Sequence, residues 1–381
     1  MDTIVTLIPD TYFSILIGVG VYFCVLGTIN MIDMKLRAVP PTVKDGPLVS
    51  VLIPARNEEQ NIERCLDTLR NQDYINYEIL VIDDNSTDNT FGILQRIARE
   101  DPRVRIFSGK PLPEDWFGKP YAMHQLSGEA RGEIFIFTDA DTVHNPSSIS
   151  WTVSNMQNSK VDFISGYTKQ KLLTFGEAIT VPLMYFLTTI VVPLFLNPYS
   201  RGSFFSAAIG QFIAVNREAF EKVGGYTTIR NKPVEDMYLA RLFKRHGYQT
   251  IFLDLKEQIH CRMYTGYQAA VEGIGKNIFI FFGKNSVLLF FVAILVVVFI
   301  FLPFPLLFIL WFIHSPFFLH VVIANSLFTL AFIIQYLDRE IPWYYAFLWP
   351  VIFVNYLYVG FFSWFRTVSG KGFIWKDRVV R

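Results

Sequence analysis

The feature that most constrains the fold is a long tract, residues 286–365, from which charged side chains are almost absent. Its only charged residues, Asp338, Arg339 and Glu340, follow one another directly. About 20 apolar residues are enough for a helix to cross the hydrocarbon core of a bilayer. The tract therefore has room for three membrane-spanning helices. We place these spans at residues 286–312, 317–337 and 343–365.

A second uncharged stretch, residues 11–32, lies near the start of the chain and is also long enough to cross a bilayer. Lys35 and Arg37 follow it, so the positive-inside rule predicts that this end faces the cytoplasm. A cleaved signal peptide is the alternative, but such a peptide needs a basic start and a small-residue cleavage site. The stretch has neither, so we expect a retained anchor over residues 1–37.

The composition agrees with a membrane protein, because 52% of the residues are hydrophobic and 37 of them are Phe. The 34 basic residues nearly balance the 33 acidic ones, so nothing indicates a nucleic-acid partner. Cys24, Cys65 and Cys261 are far apart, which predicts neither a metal-binding spacing nor a disulfide framework.

Between the apolar ends, short apolar strands alternate with amphipathic helices. This alternation predicts an α/β domain with a mostly parallel sheet. We assign residues 38–283 to that domain and residues 284–381 to C-terminal membrane helices and a basic tail. The predicted strands are Val49–Ile53, Tyr77–Ile82, Val104–Phe107, Ile134–Thr138, Val161–Gly166 and Tyr248–Leu253.

The strand Ile134–Thr138 ends in two carboxylates, Asp139 and Asp141. Its alternating Ile and Phe residues predict a strand that is buried on both faces, and open α/β sheets bind ligands where such strands end. Two neighbouring carboxylates repel each other unless a cation lies between them, and Mg²⁺ or Mn²⁺ binds carboxylates together with phosphate oxygens. We therefore predict a metal site for a nucleotide-sugar diphosphate; a solvated loop is the alternative.

Other polar side chains also follow predicted strands. Pro54, Arg56 and Glu58 come after the first strand, and Asp84 comes after the second. Lys119 opens the helix between the third and fourth strands. The carboxyl ends of parallel strands share one edge of the sheet, so we expect all of these residues at that edge.

Seven runs carry a resemblance to a known family: IPARNEE, VIDDNSTDNT, GKPYA, FTDADT, GGY, VEDMYLARLFKRHGY and CRMYTGY. Their order resembles that of family 2 glycosyltransferases with the Rossmann-like GT-A fold. The strongest resemblance is to membrane-anchored members that glycosylate lipids, such as the carotenoid (4,4'-diaponeurosporenoate) and hopanoid-associated glycosyltransferases. The resemblance covers about residues 48–280. It implies an inverting enzyme that uses a nucleotide-diphosphate sugar, a divalent metal (Mg²⁺ or Mn²⁺) and a lipid or polyisoprenoid acceptor.

The resemblance also implies roles for the residues of the donor site. Pro54, Arg56 and Glu58 would line the nucleotide pocket, and Asp84 would accept a hydrogen bond from the base. Lys119 would neutralise charge on the diphosphate.

Four further roles follow from the resemblance in the same way. Arg262 matches a basic position near the diphosphate. Asp139 would reach the sugar or ribose and, with Asp141, the metal. Glu235 and Asp236 match the acidic pair of the family, in which Asp236 is the general base.

Each of these residues also has a plainer interpretation. Arg56 and Glu58 would then form a surface ion pair, and Asp84 would belong to a turn. Lys119 would be a solvated helix start. Glu235 and Asp236 would favour a helix first turn through the helix dipole alone.

Two alternatives to a lipid glycosyltransferase remain. A processive polysaccharide synthase would carry a Gln-x-x-Arg-Trp motif, whereas Met263 follows Arg262 here, which favours transfer of a single sugar. A non-catalytic membrane protein that only binds nucleotide sugars would not need an intact Asp139, Asp141 and Asp236.

Residues 175–196 are nearly uncharged apart from Glu177. A membrane crossing there would separate Asp141 from Asp236, which the site requires together, so we predict an interfacial segment that borders the acceptor. We expect a multi-pass protein of the cell membrane with its catalytic domain in the cytoplasm. Three spans after that domain would put the tail outside, whereas its basic residues favour the inside, and the sequence leaves this open.

Overall fold

The structure is a computed structural model that describes residues 2–200, 202–232, 234–375 and 378–380. Lys376 and Arg381 of the predicted basic tail therefore lie outside the described residues. The chain divides into two compact units. One unit, here called the sheet unit, comprises residues 33–171 and 194–263. The other, here called the apolar unit, comprises the described parts of residues 1–32, 172–193 and 264–381.

The secondary structure follows in chain order. The strands are β1 (Val49–Ala55), β2 (Tyr77–Asp83), β3 (Val104–Ser108), β4 (Ile134–Thr138), β5 (Thr142–His144), β6 (Phe163–Tyr167), β7 (Lys169–Gln170), β8 (Phe212–Asn216), β9 (Thr250–Asp254), β10 (Ile259–Cys261), β11 (Phe373–Trp375) and β12 (Arg378–Val380). The α-helices are α1 (Asp2–Arg37), α2 (Ile62–Arg70), α3 (Thr90–Glu100), α4 (Gly118–Glu129), α5 (Ser148–Ser159), α6 (Phe175–Thr180), α7 (Leu183–Thr189), α8 (Arg217–Lys222), α9 (Gly225–Thr228), α10 (Glu235–Arg245), α11 (Tyr267–Phe281), α12 (Ser286–Val296), α13 (Pro303–Phe312), α14 (Phe318–Asp338) and α15 (Trp349–Val368).

The sheet unit is built on a seven-stranded sheet with the order β3-β2-β1-β4-β8-β6-β9. Six strands run parallel, and β8 alone runs antiparallel to its neighbours β4 and β6. The mostly parallel α/β sheet that the alternation of strands and helices predicts is therefore confirmed.

Strand β4 lies between β1 and β8, and all five of its residues are buried. Ile134 and Ile136 pack with side chains of α2, α3 and α5 on one face of the sheet. Phe135 and Phe137 pack with side chains of α4, α8, α9 and α10 on the other face. Both faces are covered, as the apolar run of this strand predicts.

Strand β8 is the element of the sheet that the alternation does not reveal. It follows no predicted helix, and Phe212 pairs with Thr138, the last residue of β4. Because β8 is antiparallel, its first residues lie at the edge where β4 ends. Gly210 and Gln211, which directly precede β8, therefore come to the carboxyl edge of the sheet.

Four helical segments of the described chain are long and apolar enough to cross a membrane: Asp10–Arg37, Ser286–Phe312, Phe318–Asp338 and Trp343–Val368. They coincide with the four stretches that the absence of charge singles out. The second one contains a π-helical turn, Val297–Phe301, directly before Pro303.

Residues 172–193 and 264–283 belong to the apolar unit, although the sequence places both in the catalytic domain. The burial of their side chains explains why these segments belong to a different unit from the one that the sequence predicts. Phe186 is buried in contact with Phe332 and Phe353, so its ring is part of this unit's core and is not presented on a surface. That residues 175–196 lie at a membrane interface stays a prediction.

The close pairing of β6 with β9 makes Gly166 a test of the sheet. A Cβ at this position would lie 2.0 Å from the backbone oxygen of Leu253. We expect Gly166→Ala to lower the free energy of unfolding by about 3 kcal/mol, because neither strand has room to move. Gly128→Ala is the matched control, since nothing lies within 4 Å of its Cβ and α4 gains up to about 1 kcal/mol from Ala. Denaturant unfolding in detergent measures the free energy of unfolding of both variants. Equal values for Gly166→Ala and Gly128→Ala would contradict the close pairing of β6 with β9.

Candidate active site

The loops after β1 and β2 interlock at the carboxyl edge. Arg56 Nη1 donates to the backbone oxygens of Asp84 (2.6 Å) and Asn85 (2.9 Å). The Asp84 N–H donates to the Ala55 oxygen (2.7 Å). Asn85 has φ 58°, the left-handed conformation that Asn tolerates and that a glycine often supplies. Arg56 thus ties two site loops together through backbone groups.

Pro54 is the penultimate residue of β1, although the sequence suggests a loop there. The pairing of β1 with β4 ends at Leu52, so the missing N–H of Pro54 breaks no bond on that side. Glu58 lies in the next loop, where its N–H donates to Thr90 Oγ1 (2.8 Å) and its Oε2 accepts from Asn61 (3.0 Å).

Lys119 stands at the centre of the site, near the start of α4. Its Nζ lies 2.5 Å from Asp139 Oδ1 and 3.5 Å from Glu235 Oε1, and it donates to the Gly210 oxygen (3.2 Å). Burial alone would lower the pKa of Lys119, but the charges of Asp139 and Glu235 outweigh it and raise the pKa. The structure therefore joins the end of β4, α10 and the turn before β8 through one ammonium group.

Asp236 lies in the first turn of α10, beside Glu235. Its Oδ2 accepts from the Gly210 N–H (2.8 Å), and its Oδ1 accepts from the Met237 N–H (2.7 Å). Burial and the charge of Glu235 raise the pKa of Asp236 to about 7. A carboxylate of this kind can accept a proton near neutral pH.

Asp141 is held differently from Asp139, although only one residue separates them. Its Oδ1 is buried and has no hydrogen-bond partner in the described part of the chain. Burial, together with the charges of Asp139 and Glu58, raises the pKa of Asp141 to about 7. Excess negative charge and an orphaned carboxylate oxygen both fit a divalent cation.

The protein ligands for such a cation are few. Among the residues that the structure describes, no group of three or more His, Cys, Asp or Glu side chains is arranged to hold a metal ion. Asp139 and Asp141 would therefore share the ion with oxygens from a bound phosphate and water, the arrangement that Mg²⁺ usually adopts.

A buried polar cluster supports the turn that carries the two aspartates. Thr142 Oγ1 donates to the backbone oxygen of Asp139 (2.7 Å) and lies 3.1 Å from His144 Nε2. Thr138 Oγ1 contacts the same histidine nitrogen (3.1 Å). Burial lowers the pKa of His144 to about 3, so the ring is neutral and acts as a structural hydrogen-bonding group.

Arg262 follows β10, which pairs antiparallel with β5 so that Cys261 faces Thr142. Arg262 directly follows this last pair on one strand, and Asp141 directly precedes it on the other. In the sequence, only the resemblance singles out Arg262, and the small sheet of β5, β10 and β7 explains its position.

Three residues at the edge were not singled out from the sequence. Gly210 bonds both Asp236 and Lys119 through its backbone, and Gln211 Nε2 donates to Cys261 Sγ (3.2 Å). Burial, followed by the nearby charge of Asp141, raises the pKa of the Cys261 thiol. The only signal in the sequence was the position of Cys261 directly before Arg262.

The chain was then compared with known proteins. The profile of the family Glycosyl transferase family 2 matches residues 50–224. The chain is similar to a beta-monoglucosyldiacylglycerol synthase from Nostoc sp., with 29% identity over 63% of this chain and 48% of the relative. It is also similar to a 4,4'-diaponeurosporenoate glycosyltransferase from Staphylococcus haemolyticus, with 25% identity over 60% of each chain.

The matches cover only part of several relatives. The chain spans 48% of the length of the Nostoc protein and 35% of that of an uncharacterised glycosyltransferase from Haemophilus influenzae. Among solved structures, the fold is similar to that of a mannosyltransferase from Pyrobaculum calidifontis in complex with GDP-Man and Mn²⁺. The TM-score is 0.51 at 17% identity, and the similarity covers 92% of this chain and 99% of the other.

The position of Lys119 among carboxylates generates a test that needs no substrate. We expect Lys119→Met to lower the free energy of unfolding by about 1–3 kcal/mol, because Asp139 and Glu235 lose their counter-charge in a site that is still partly solvated. The loss should be larger at pH 8 than at pH 5, since the uncompensated carboxylates can take up protons at the lower pH. Denaturant unfolding at both pH values measures it.

Lys222→Met is the matched control, because Lys222 forms an exposed i,i+4 pair with Glu218 on the same unit. We expect no measurable change for this variant. If Lys119→Met lowered the free energy of unfolding equally at both pH values, the Lys119 side chain would contribute packing and no charge compensation.

Proposed function

From the premise that residues 50–224 form a family 2 glycosyltransferase domain with the GT-A fold, we propose that this protein is an inverting glycosyltransferase. It moves a sugar from a nucleotide-diphosphate sugar to a lipid or polyisoprenoid acceptor in the membrane. The observation that carries the proposal is the Lys119 cluster, in which one ammonium group lies between the carboxylates of Asp139 and Glu235.

The donor end of the site follows from the loops after β1 and β2. Arg56, Glu58 and Asp84 border the carboxyl edge, where they would hold the nucleoside. Lys119 and Arg262 supply positive charge for the diphosphate. Lys119 is positioned to exchange its contact with Asp139 for one with a phosphate oxygen, because a single flexible side chain reaches both.

Asp139 and Asp141 would hold a Mg²⁺ or Mn²⁺ ion, which neutralises the charge that develops on the leaving diphosphate. The mannosyltransferase that shares the fold was solved with Mn²⁺, which supports this assignment. The orphaned Oδ1 of Asp141 supports it independently.

The acceptor end is built around Asp236. Inversion is one displacement, in which the acceptor oxygen bonds to the anomeric carbon as the bond from that carbon to the diphosphate oxygen breaks. The proton of the acceptor hydroxyl passes to Asp236, whose pKa of about 7 suits a general base near neutral pH. The negative charge of Glu235 repels the Asp236 carboxylate. It therefore favours the protonated form of Asp236 and raises its pKa.

A membrane acceptor is supported by the four apolar helices of the described chain and by the names of two relatives, a beta-monoglucosyldiacylglycerol synthase and a 4,4'-diaponeurosporenoate glycosyltransferase. The absence of a Gln-x-x-Arg-Trp sequence at Arg262 supports transfer of a single sugar. We further propose that the sheet unit faces the cytoplasm, because Lys35 and Arg37 lie in the last turn of α1.

The decisive experiment is turnover by purified protein with a panel of UDP- and GDP-sugars and membrane lipid extracts. A glycolipid product with the anomeric configuration opposite to that of the donor, assigned by NMR, is the expected result. Retention of configuration would contradict the role of Asp236. Hydrolysis of every donor with no transfer would contradict a lipid acceptor.

The role of Asp236 predicts a separation of binding from turnover. We expect Asp236→Asn to lower kcat by about 10²–10⁴-fold and to leave donor affinity within about twofold, because the amide keeps the shape and loses the base. Steady-state kinetics and calorimetric titration of the donor measure the two quantities. A loss of donor affinity equal to the loss of kcat would assign Asp236 to donor binding.

The pH dependence provides a second check on the same residue. A protonated Asp236 cannot accept a proton, so kcat/KM for the acceptor should rise with pH and level off above about 7. Saturating Mn²⁺ and donor keep Asp141 ionised during this measurement. The Asp236→Asn variant should lack the rise.

The role of Asp141 predicts opposite effects on activity and stability. We expect Asp141→Asn to lower activity and Mn²⁺ affinity by at least about 100-fold. The metal-free variant should be as stable as the parent or more stable, with the larger gain at pH 8, where the buried Asp141 would be ionised. Asp162→Asn at the opposite edge is the control, and it should leave Mn²⁺ affinity unchanged. Activity that survives a saturating chelator would exclude the metal.

A further inference from the structure

Gln211 is buried at the carboxyl edge, and every polar atom of its side chain is engaged. Its Oε1 accepts from Gln170 Nε2 (2.7 Å) and from Thr168 Oγ1. Its Nε2 donates to Cys261 Sγ (3.2 Å). The network is enclosed between β7, β8 and β10, and its hydrogen bonds fix the orientation of the side chains that form them.

The two donors on Oε1 determine the orientation of the amide. A flipped Gln211 would point its N–H groups at the Gln170 amide and away from an acceptor, and would leave buried donors unsatisfied. Gln170 itself is held, because its Nε2 also donates to Thr168 Oγ1 (2.9 Å). This orientation presents the Gln211 N–H group to Cys261.

This orientation determines what the Cys261 thiol does. A thiol has one proton, and its sulfur accepts weakly. Since the sulfur of Cys261 accepts from Gln211, its proton is available to the Asp141 carboxylate, and Asp141 directly precedes the Thr142 that pairs with Cys261. The other side of the carboxylate is different, since Asp141 Oδ1 has no partner among the described residues.

We propose that Gln211 is a positioning residue that acts through Cys261 to orient the Asp141 carboxylate, so that one oxygen is held and Oδ1 is left to bind a divalent ion. The proposal rests on the proposed function, in which Asp141 is a metal ligand. Outer hydrogen bonds of this kind orient metal-binding carboxylates in proteins generally.

The neighbouring residue gives the arrangement a wider consequence. The Gly210 N–H donates to Asp236 Oδ2, and its oxygen accepts from Lys119. The Gly210–Gln211 dipeptide thus contacts Asp236 directly and, in this proposal, reaches the Asp141 carboxylate through one thiol. Both residues directly precede β8.

The first arm of the test measures the hydrogen bond without a metal. The S–H stretching band of Cys261 in the infrared spectrum, assigned by its loss in Cys261→Ala, should shift to higher frequency in Asp141→Asn and change in Gln211→Met. A band that neither substitution moves would overturn the relay. This arm does not depend on enzymatic activity.

The second arm measures Mn²⁺ affinity by electron paramagnetic resonance, with Mn²⁺ alone and with Mn²⁺ plus UDP or GDP. We expect Gln211→Met and Cys261→Ala each to weaken Mn²⁺ binding by about 10-fold, as second-sphere changes do. Cys261→Ser keeps a donor to Asp141 and should stay within about threefold of the parent. The double variant Gln211→Met/Cys261→Ala should resemble Cys261→Ala, because Gln211 acts only through the thiol.

Ser165→Ala is the matched control. Ser165 is buried in β6 and bonds the same turn, since it donates to the Phe212 oxygen (2.8 Å) and accepts from the Ile209 N–H (2.9 Å). Ser165→Ala should lower stability and leave Mn²⁺ affinity unchanged. If the two substitutions of the double variant weaken Mn²⁺ binding additively, or if Ser165→Ala weakens it equally, Gln211 has only a structural role.

The two arms separate the inference from the function on which it rests. If the parent protein binds no Mn²⁺ in any mixture while the infrared shifts occur, the metal assignment is wrong and the orientation of Asp141 by Gln211 stands. If Mn²⁺ binds and neither Gln211→Met nor Cys261→Ala weakens it, the metal stands and the relay is overturned.

Discussion

The site depends on the placement of one positive charge. Lys119 Nζ lies within 3.5 Å of the carboxylates of Asp139 and Glu235 and bonds the backbone of Gly210. One ammonium group meets several carboxylates here, and burial, together with the charges of neighbouring carboxylates, raises the pKa values of Asp141 and Asp236 to about 7. Around Lys119, the described carboxylates therefore outnumber the one ammonium group, which favours the binding of a cation.

Hydrogen bonding distinguishes two carboxylates that are otherwise alike. Asp236 has both oxygens bonded to backbone N–H groups, so its position is fixed and only its proton can change. Asp141 keeps one oxygen without a partner, so a cation can satisfy it. A fixed carboxylate suits proton transfer, and an open one suits metal ligation.

The apolar unit meets a different physical constraint. Its segment 172–193 contains the broken helices α6 and α7, whose backbone groups need partners in an apolar environment. Asn30 Nδ2 donates to the carbonyls of Thr189 (2.6 Å), the last residue of α7, and of Val192 (2.8 Å), three residues beyond it. The buried Glu177 accepts from the N–H groups of Leu173 and Gly266. Side chains thus supply the hydrogen bonds that an unbroken helix would make for itself.

The sequence by itself determined the elements whose signals are local. The alternating Ile and Phe of β4 predict a strand buried on both faces, and the uncharged stretches predict the four long apolar helices. Asn85 in the second loop adopts the left-handed conformation that Asn tolerates, with φ 58°. Each of these follows from the periodicity, charge or backbone preference of a short segment, so no distant contact is needed to see it.

Tertiary structure alone decided the features that depend on pairing between distant segments. Antiparallel β8 has no sequence signal of its direction, yet its direction brings Gly210 and Gln211 to the edge that holds Lys119 and Asp236. The pairing of β10 with β5 likewise sets Cys261 near Asp141. The apolar stretch at 172–193 could equally have covered the sheet unit, and it belongs to the apolar unit because its side chains are buried there. Strand direction and the choice of a burial partner are properties of the assembled chain, since they arise from contacts between residues far apart in sequence.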